Sequence, residues 1–128
     1  MIHCITTNKQ ELAIDLYKEW YPQANPARQL TQDSFLVAIY DEQEIIGAAI
    51  LIIIRDLIFQ NIWGLVENVY VKKEYRKNGI GKKLMKEVET QGRFWGCSFL
   101  KLTSSKPEGQ ALYRSLGYKE GLSFKKEL

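Results

Sequence analysis

Between residues 63 and 103 the hydrophobic pattern changes period twice, and this constrains the fold more than any other feature of the chain. Residues 63–71 alternate, with Leu65, Glu67, Val69 and Val71 on one side and Val66, Asn68 and Tyr70 on the other. That is the two-residue repeat of a strand. Ile80, Leu84 and Val88 then recur at helical spacing, with Met85 beside them and Trp95 less regularly in line, until Gly96 stops the helix. Residues 97–103 read as a strand again. A strand–helix–strand unit of this kind is a right-handed crossover between parallel strands. The chain must therefore build a sheet with at least one parallel pair and a helix laid across it.

The flanking segments fill out that sheet. Residues 1–6 make a short first strand. Thr7 and Gln10 have capping-box spacing, and Leu12, Leu16 and Trp20 follow at helical intervals with Ala13 and Tyr17 beside them. Pro22 and Pro26 end this helix, leaving a loop or short irregular helix as far as Asp33. Residues 35–40 are strand-like, and Asp41 to Glu44 form a polar turn. Residues 45–54 are an apolar run rich in β-branched side chains, which favours a strand buried on both faces. A bilayer span needs about 18 such residues, so this run is too short to be one. A turn at Gln60-Asn61 completes an antiparallel meander of three strands. Residues 108–116 form a short helix with Gly117 after it, and Tyr118 with residues 122–128 supplies a last strand. The predicted order is β-α-β-β-β-α-β-α-β. It describes one α/β domain over residues 1–128, with a mixed, mostly antiparallel sheet and helices on both faces.

A chain of 128 residues buries about two thirds of its unfolded surface and needs no covalent staples. Cys4 and Cys97 lie far apart in apolar runs, as buried free thiols of a cytosolic protein do. With these two cysteines and His3 alone, neither a zinc quartet nor a histidine-based triad can be assembled, so no metal is expected. Met1-Ile2-His3-Cys4 lacks the basic start of a signal peptide, so the expected location is cytoplasmic.

Charge is unevenly distributed. Residues 1–71 carry four basic and nine acidic side chains, whereas residues 72–86 carry seven basic and one acidic. A charge run alone reads as a solvated helix face. This one surrounds Gly79 and Gly81, at the junction where a strand passes through a loop into a helix. The first turn of a helix has unpaired N–H groups and a partial positive charge, and glycines let a ligand come close to the backbone. The junction is thus a natural pyrophosphate cradle. It is not a Walker A loop, because Arg76 and Lys83 stand where that motif needs Gly and Ser/Thr. Nor is it a dinucleotide fingerprint, because Leu84 replaces the third glycine.

Arg76-Lys77-Asn78-Gly79-Ile80-Gly81 resembles the Arg/Gln-x-x-Gly-x-Gly/Ala loop of the Gcn5-related N-acetyltransferases, the GNAT superfamily. The preceding Glu67-Asn68-Val69-Tyr70-Val71 and the later Ala111-Leu112-Tyr113-Arg114-Ser115-Leu116-Gly117-Tyr118 extend the resemblance, which is close over residues 63–128 and limited to element order before them. It implies acetyl-CoA as co-substrate and an amine as acceptor. It also implies a bulge in the strand at residues 63–71 and a central parallel strand pair that splays apart to admit the thioester. The backbone N–H groups of Lys77, Asn78, Gly79, Ile80, Gly81 and Lys82 would take the pyrophosphate, with Arg76 shaping the loop. Val69, Tyr70 and Val71 would lie along the pantetheine arm.

By the same resemblance Glu67 stands where several members have a catalytic base; the bland alternative is a solvated or substrate-binding carboxylate. Tyr113 stands at the position of the family's acid, and would otherwise be a packing tyrosine beside Leu112 and Leu116. Many members have Asn where this chain has Lys106, which reaches a phosphate or is simply solvated. Two further function classes stay open: a non-catalytic acetyl-CoA-binding domain, and a nucleic-acid binder using residues 72–86. The second needs no Gly79-Ile80-Gly81 and lacks the known recognition motifs, so neither nucleic acid nor membrane is an expected partner. A homodimer is compatible with the reading. Residues 12–33 should shape the acceptor site, with Asp15, Glu19 and Asp33 as cation partners, and the acidic balance there favours a cationic small amine or a lysine-bearing peptide.

Overall fold

A computed structural model of the chain describes residues 1–25, 33–104, 106–121 and 123–128. Strands β1 (Ile2–Thr7), β2 (Ser34–Asp41), β3 (Glu44–Arg55) and β4 (Ile62–Val71) form an antiparallel meander, and β5 (Leu100–Leu102) joins β4 in parallel. Helix α1 (Ile14–Trp20), reached through a 3₁₀ turn at Gln10–Ala13, covers one face. Helix α2 (Ile80–Phe94) covers the other, and α3 (Pro107–Ser115) packs on that second side. The mixed sheet with helices on both faces is as the sequence implies.

β3 is the spine of the sheet. Its residues Ile46, Ala49, Leu51 and Ile53 join Leu84, Met85 and Val88 of α2 in one core, with a register irregularity at Ile46 placing that side chain on the same face as Ala49. Ala48 and Ile50 join Leu16 and Tyr17 of α1 in a second core on the opposite face. A strand in the middle of a two-sided sheet buries both of its faces, so its sequence is an unbroken apolar run.

Three expectations need correction. Thr7 does not cap the first helix, because it still belongs to β1, paired with Leu36. Its Oγ1 accepts the Lys9 N–H at 3.2 Å, the helix starts through the 3₁₀ turn, and the capping box with Gln10 does not form. The last strand is absent from residues 123–128, and Leu122 lies outside the described residues. Lys125, Lys126 and Glu127 interrupt any alternation there, and Phe124 is fully in solvent. The parallel pair β4–β5 consequently stands at the end of the strand order among the described residues. Lastly, Cys4 and Cys97 are free but only half-buried; burial pushes both thiols upward in pKa. Gly96 and Gly117 follow their helices in the left-handed conformation, as helix-ending glycines do. No helix among the described residues is long and apolar enough to cross a membrane.

Candidate active site

β4 and β5 pair at only three positions, Gly64 with Leu100, Leu65 with Lys101 and Val66 with Leu102. At the Gly64 end they are close: Gly64 N–H donates to the Phe99 carbonyl at 3.0 Å and Ser98 N–H to the Ile62 carbonyl at 2.8 Å. A Cβ on Gly64 would stand 2.5 Å from Leu100 Cδ2. Beyond Val66 the strands part, and β4 continues through Val71 with no described strand on its β5 side. A strand edge left open in this way offers backbone donors and acceptors to an extended ligand.

A bulge sits where the gap opens. Ile50 pairs with Glu67 and Ala48 with Tyr70, so Ala49 faces both Asn68 and Val69. Asn68 takes the extra place with φ 54°, a left-handed conformation that Asn tolerates better than most residues. The bulge resets the alternation. Glu67 and Tyr70 both lie on the α1 face, in line with Ile50 and Ala48, whereas Val66, Val69 and Val71 lie on the α2 face. The expectation that Glu67 shares a side with Val69 and Val71 is therefore wrong: an unbroken period of two was carried through a bulge. Tyr17 holds the bulge from α1, donating its hydroxyl to the Asn68 carbonyl at 2.8 Å.

The glycine loop leads from β4 to α2. Lys77 (φ 66°) and Gly79 (φ 78°) are both left-handed, with Asn78 between them, and such alternation makes anion-binding concavities. Gly79 is the N-cap of α2, and the first bond to close the helix runs from Lys83 N–H to the Gly79 carbonyl at 3.0 Å. The N–H groups of Ile80, Gly81 and Lys82 thus have no intrahelical acceptor. A Cβ on Gly81 would stand 3.0 Å from Leu112 Cδ2, so α3 closes against this turn. The first turn of α2 contains no acidic residue but has Lys82 and Lys83, against the preference of the helix dipole. With Lys86 and Gly79 they line a surface groove of about 390 Å³. Cations gathered at an already positive helix end are what an anion site requires.

Arg76 braces this loop rather than facing its anion side. Its Nε donates to the Val71 carbonyl at 3.0 Å, and its guanidinium lies 5.1 Å from the Tyr70 ring centre. Tyr70 is buried and donates its hydroxyl to Glu19 Oε2 at 2.7 Å. Burial, reinforced by that bond, pushes its pKa up to about 12. Trp20 stacks on the Tyr70 ring at 5.2 Å, and the Lys106 ammonium lies 6.0 Å from the Trp20 ring centre. Lys106, from the stretch between β5 and α3, is exposed.

Tyr113 is half-buried on α3 and packs toward the α2-side core, with its ring edge-on to Tyr118 at 5.9 Å. Burial pushes its pKa above the ordinary tyrosine value. Glu67 and Tyr113 therefore stand on opposite faces of the sheet, with the opening between β4 and β5 dividing those faces.

The α1 face carries a cleft of about 410 Å³ walled by Tyr17, Trp20, Tyr21, Asn25, Ile50 and Asn68. Ile50 is the register partner of Glu67, so the cleft adjoins that carboxylate. Sequence reasoning gave residues 12–33 to the acceptor site but singled out Asp15, Glu19 and Asp33 there rather than Tyr17, Trp20 and Tyr21. The available signal was Trp20-Tyr21 just before Pro22, two large aromatics where a helix is already ending. The acidic excess of the N-terminal half is largely engaged elsewhere. Asp33 pairs with Arg55 at 2.7 Å, Glu44 with Lys72 at 2.6 Å, and Glu19 is held by Tyr70. Asp15 lies with Glu19 and Glu44 along a second cleft on the other side of α1. The part of the expected acceptor region at residues 26–32 lies outside the described residues.

The parted strand pair thus sets an open backbone edge beside a basic helix N-terminus. The profile of the Acetyltransferase (GNAT) family matches residues 5–118, and the chain belongs to that family. Among solved structures it is similar to an acetyltransferase of Trypanosoma brucei, at 18% identity and TM-score 0.81 with 100% of both chains covered. It is similar also to an aminoglycoside acetyltransferase from an uncultured soil metagenomic sample, at 18% identity and TM-score 0.80, covering 100% of this chain and 99% of that one. A third likeness is to glucosamine-6-phosphate N-acetyltransferase of Arabidopsis thaliana, at 17% identity and TM-score 0.75, covering 100% and 98%. At such identities the likeness is one of fold.

Proposed function

We propose that this protein transfers the acetyl group of acetyl-CoA to a primary amine by direct attack. The observation that carries the reading is the parting of β4 and β5 after Val66, beside the lysine-rich N-terminus of α2. The N–H groups of residues 77–82 bind the pyrophosphate, and the open edge of β4 at Val69, Tyr70 and Val71 pairs with the pantetheine arm through its backbone. The side chain of Tyr70, turned toward α1, takes no part in that pairing. Acetyl-CoA supplies the activated acyl group as a thioester.

A primary alkylamine has a pKa of about 10.4 and attacks only when neutral, so a proton must leave it near neutral pH. Glu67, half-buried on the α1 face beside the aromatic cleft, accepts that proton, directly or through water. Tyr113, on the far side of the opening, donates a proton to the departing thiolate; its burial keeps it protonated through the neutral range. The base serves the face from which the amine arrives, and the acid serves the face from which the cofactor arrives. The amine class finds support in the solved aminoglycoside and glucosamine-6-phosphate acetyltransferases that share the fold.

The test is thiol release from acetyl-CoA across amino sugars, aminoglycosides, polyamines and peptides. Turnover with one class supports the transferase reading. Tight coenzyme A binding with no turnover on any class would leave a binding domain instead.

A further inference from the structure

We propose that Lys106 selects the acceptor, and that the acceptor is a primary amine carrying an anionic group. This rests on the transferase reading and deepens it. The described residues that wall the aromatic cleft on the α1 face are uncharged. The Lys106 ammonium lies over Trp20, one of those walls, at 6.0 Å from the ring centre. No carboxylate among the described residues forms an ion pair with Lys106. Apart from Glu67, which faces the amine itself, the expected cation partners are engaged or distant: Asp33 and Glu44 pair with Arg55 and Lys72, Glu19 accepts from Tyr70, and Asp15 lies across α1.

A cation held against a wall of the cleft repels an ammonium body and attracts an anion. An acceptor with its amine toward Glu67, its apolar or sugar body against Trp20 and Tyr21, and a carboxylate or phosphate at Lys106 gives a partner to both of these charges.

Matched probes test this with the full chain. One pair is 2-phenylethylamine and 4-(2-aminoethyl)benzoate; the other is glucosamine and glucosamine 6-phosphate. In each pair only the anionic group differs, and the two pairs separate carboxylate from phosphate. The wild type should favour at least one anionic member by about tenfold or more in kcat/KM, the size of one charge-assisted hydrogen bond. Lys106→Gln should abolish that preference, and Lys106→Glu should reverse it in favour of 1,5-diaminopentane. Calorimetric binding of the same probes in the presence of coenzyme A makes the comparison without turnover. An anionic probe that binds the wild type more tightly than its twin, and loses this in Lys106→Gln, supports the selection even if no thiol is released, in which case the transferase reading alone fails. Preference and binding unaltered in Lys106→Gln, or a defect confined to the KM of acetyl-CoA, overturns the proposal.

Discussion

Glu67 and Tyr113 are separated in sequence by α2 and β5 and lie on opposite faces of the sheet, and under the proposed mechanism each would carry a distinct kinetic signature. Positioned acid or base groups contribute roughly 10²–10⁴-fold. Tyr113→Phe should lower kcat by about that factor and leave coenzyme A affinity nearly unchanged, as measured by steady-state kinetics and calorimetry. Glu67→Gln should lose most activity below the amine pKa and recover at high pH; an equal loss at every pH, carried in KM, would mark an anchoring carboxylate. Tyr70 makes a different prediction. Its pKa is raised in the fold to about 12, so the stability it contributes is fully present below the unfolded tyrosine value of about 10 and is lost as pH rises toward 12. Urea midpoints should fall across that window, and Tyr70→Phe should flatten the fall by up to about 1.4 kcal/mol per pH unit. An identical alkaline slope in the variant would show that Tyr70 does not titrate there.

Within β4, the bulge determines which side chains reach the α1 face. The residue pair Glu67-Asn68, polar within an otherwise apolar strand, was its visible trace in the sequence, but a pattern of period two has no place for the extra residue. Its cost is local. A β-branched residue at φ 54° is strained by about 1–2 kcal/mol, whereas glycine takes this conformation freely. Asn68→Val should therefore lower stability by about that amount and Asn68→Gly by much less, as read from denaturant midpoints at constant slope. Activity in Asn68→Val should fall further than stability does, because Glu67 and Tyr70 depend on the bulge for their face. Helix α2 was legible along its whole length, since Ile80, Leu84, Met85 and Val88 repeat at the interval of a single buried stripe. The start of the first helix was not. Thr7 satisfies the local capping pattern, but its pairing with Leu36 across the sheet wins.

For the molecule as a whole, an anion cradle beside a parted strand pair implies that ligand binding and stability are linked. Lys82 and Lys83 at the N-terminus of α2 repel one another and the helix dipole until an anion arrives. Coenzyme A at a hundred times its Kd should stabilise the fold by about 2.7 kcal/mol, or roughly 10 °C in Tm, and added salt should reduce the shift. Gly79→Asp should abolish it, because an aspartate brings negative charge and a strained φ to the cradle; a shift that survives in the folded variant would place the anion elsewhere. The loop, its helix and the parallel crossover were determined by local chemistry: glycine spacing, charge and period are properties of neighbouring residues. The two-faced spine of β3 announced itself likewise, because burial on both sides demands an uninterrupted apolar run. Tertiary structure alone decided that the acidic half spends Asp33, Glu44 and Glu19 on Arg55, Lys72 and Tyr70, since composition counts charges but does not pair them. It alone brought Lys106 over Trp20, joining residues 86 positions apart in the chain through the packing of separate elements, and no local pattern encodes a contact of that range.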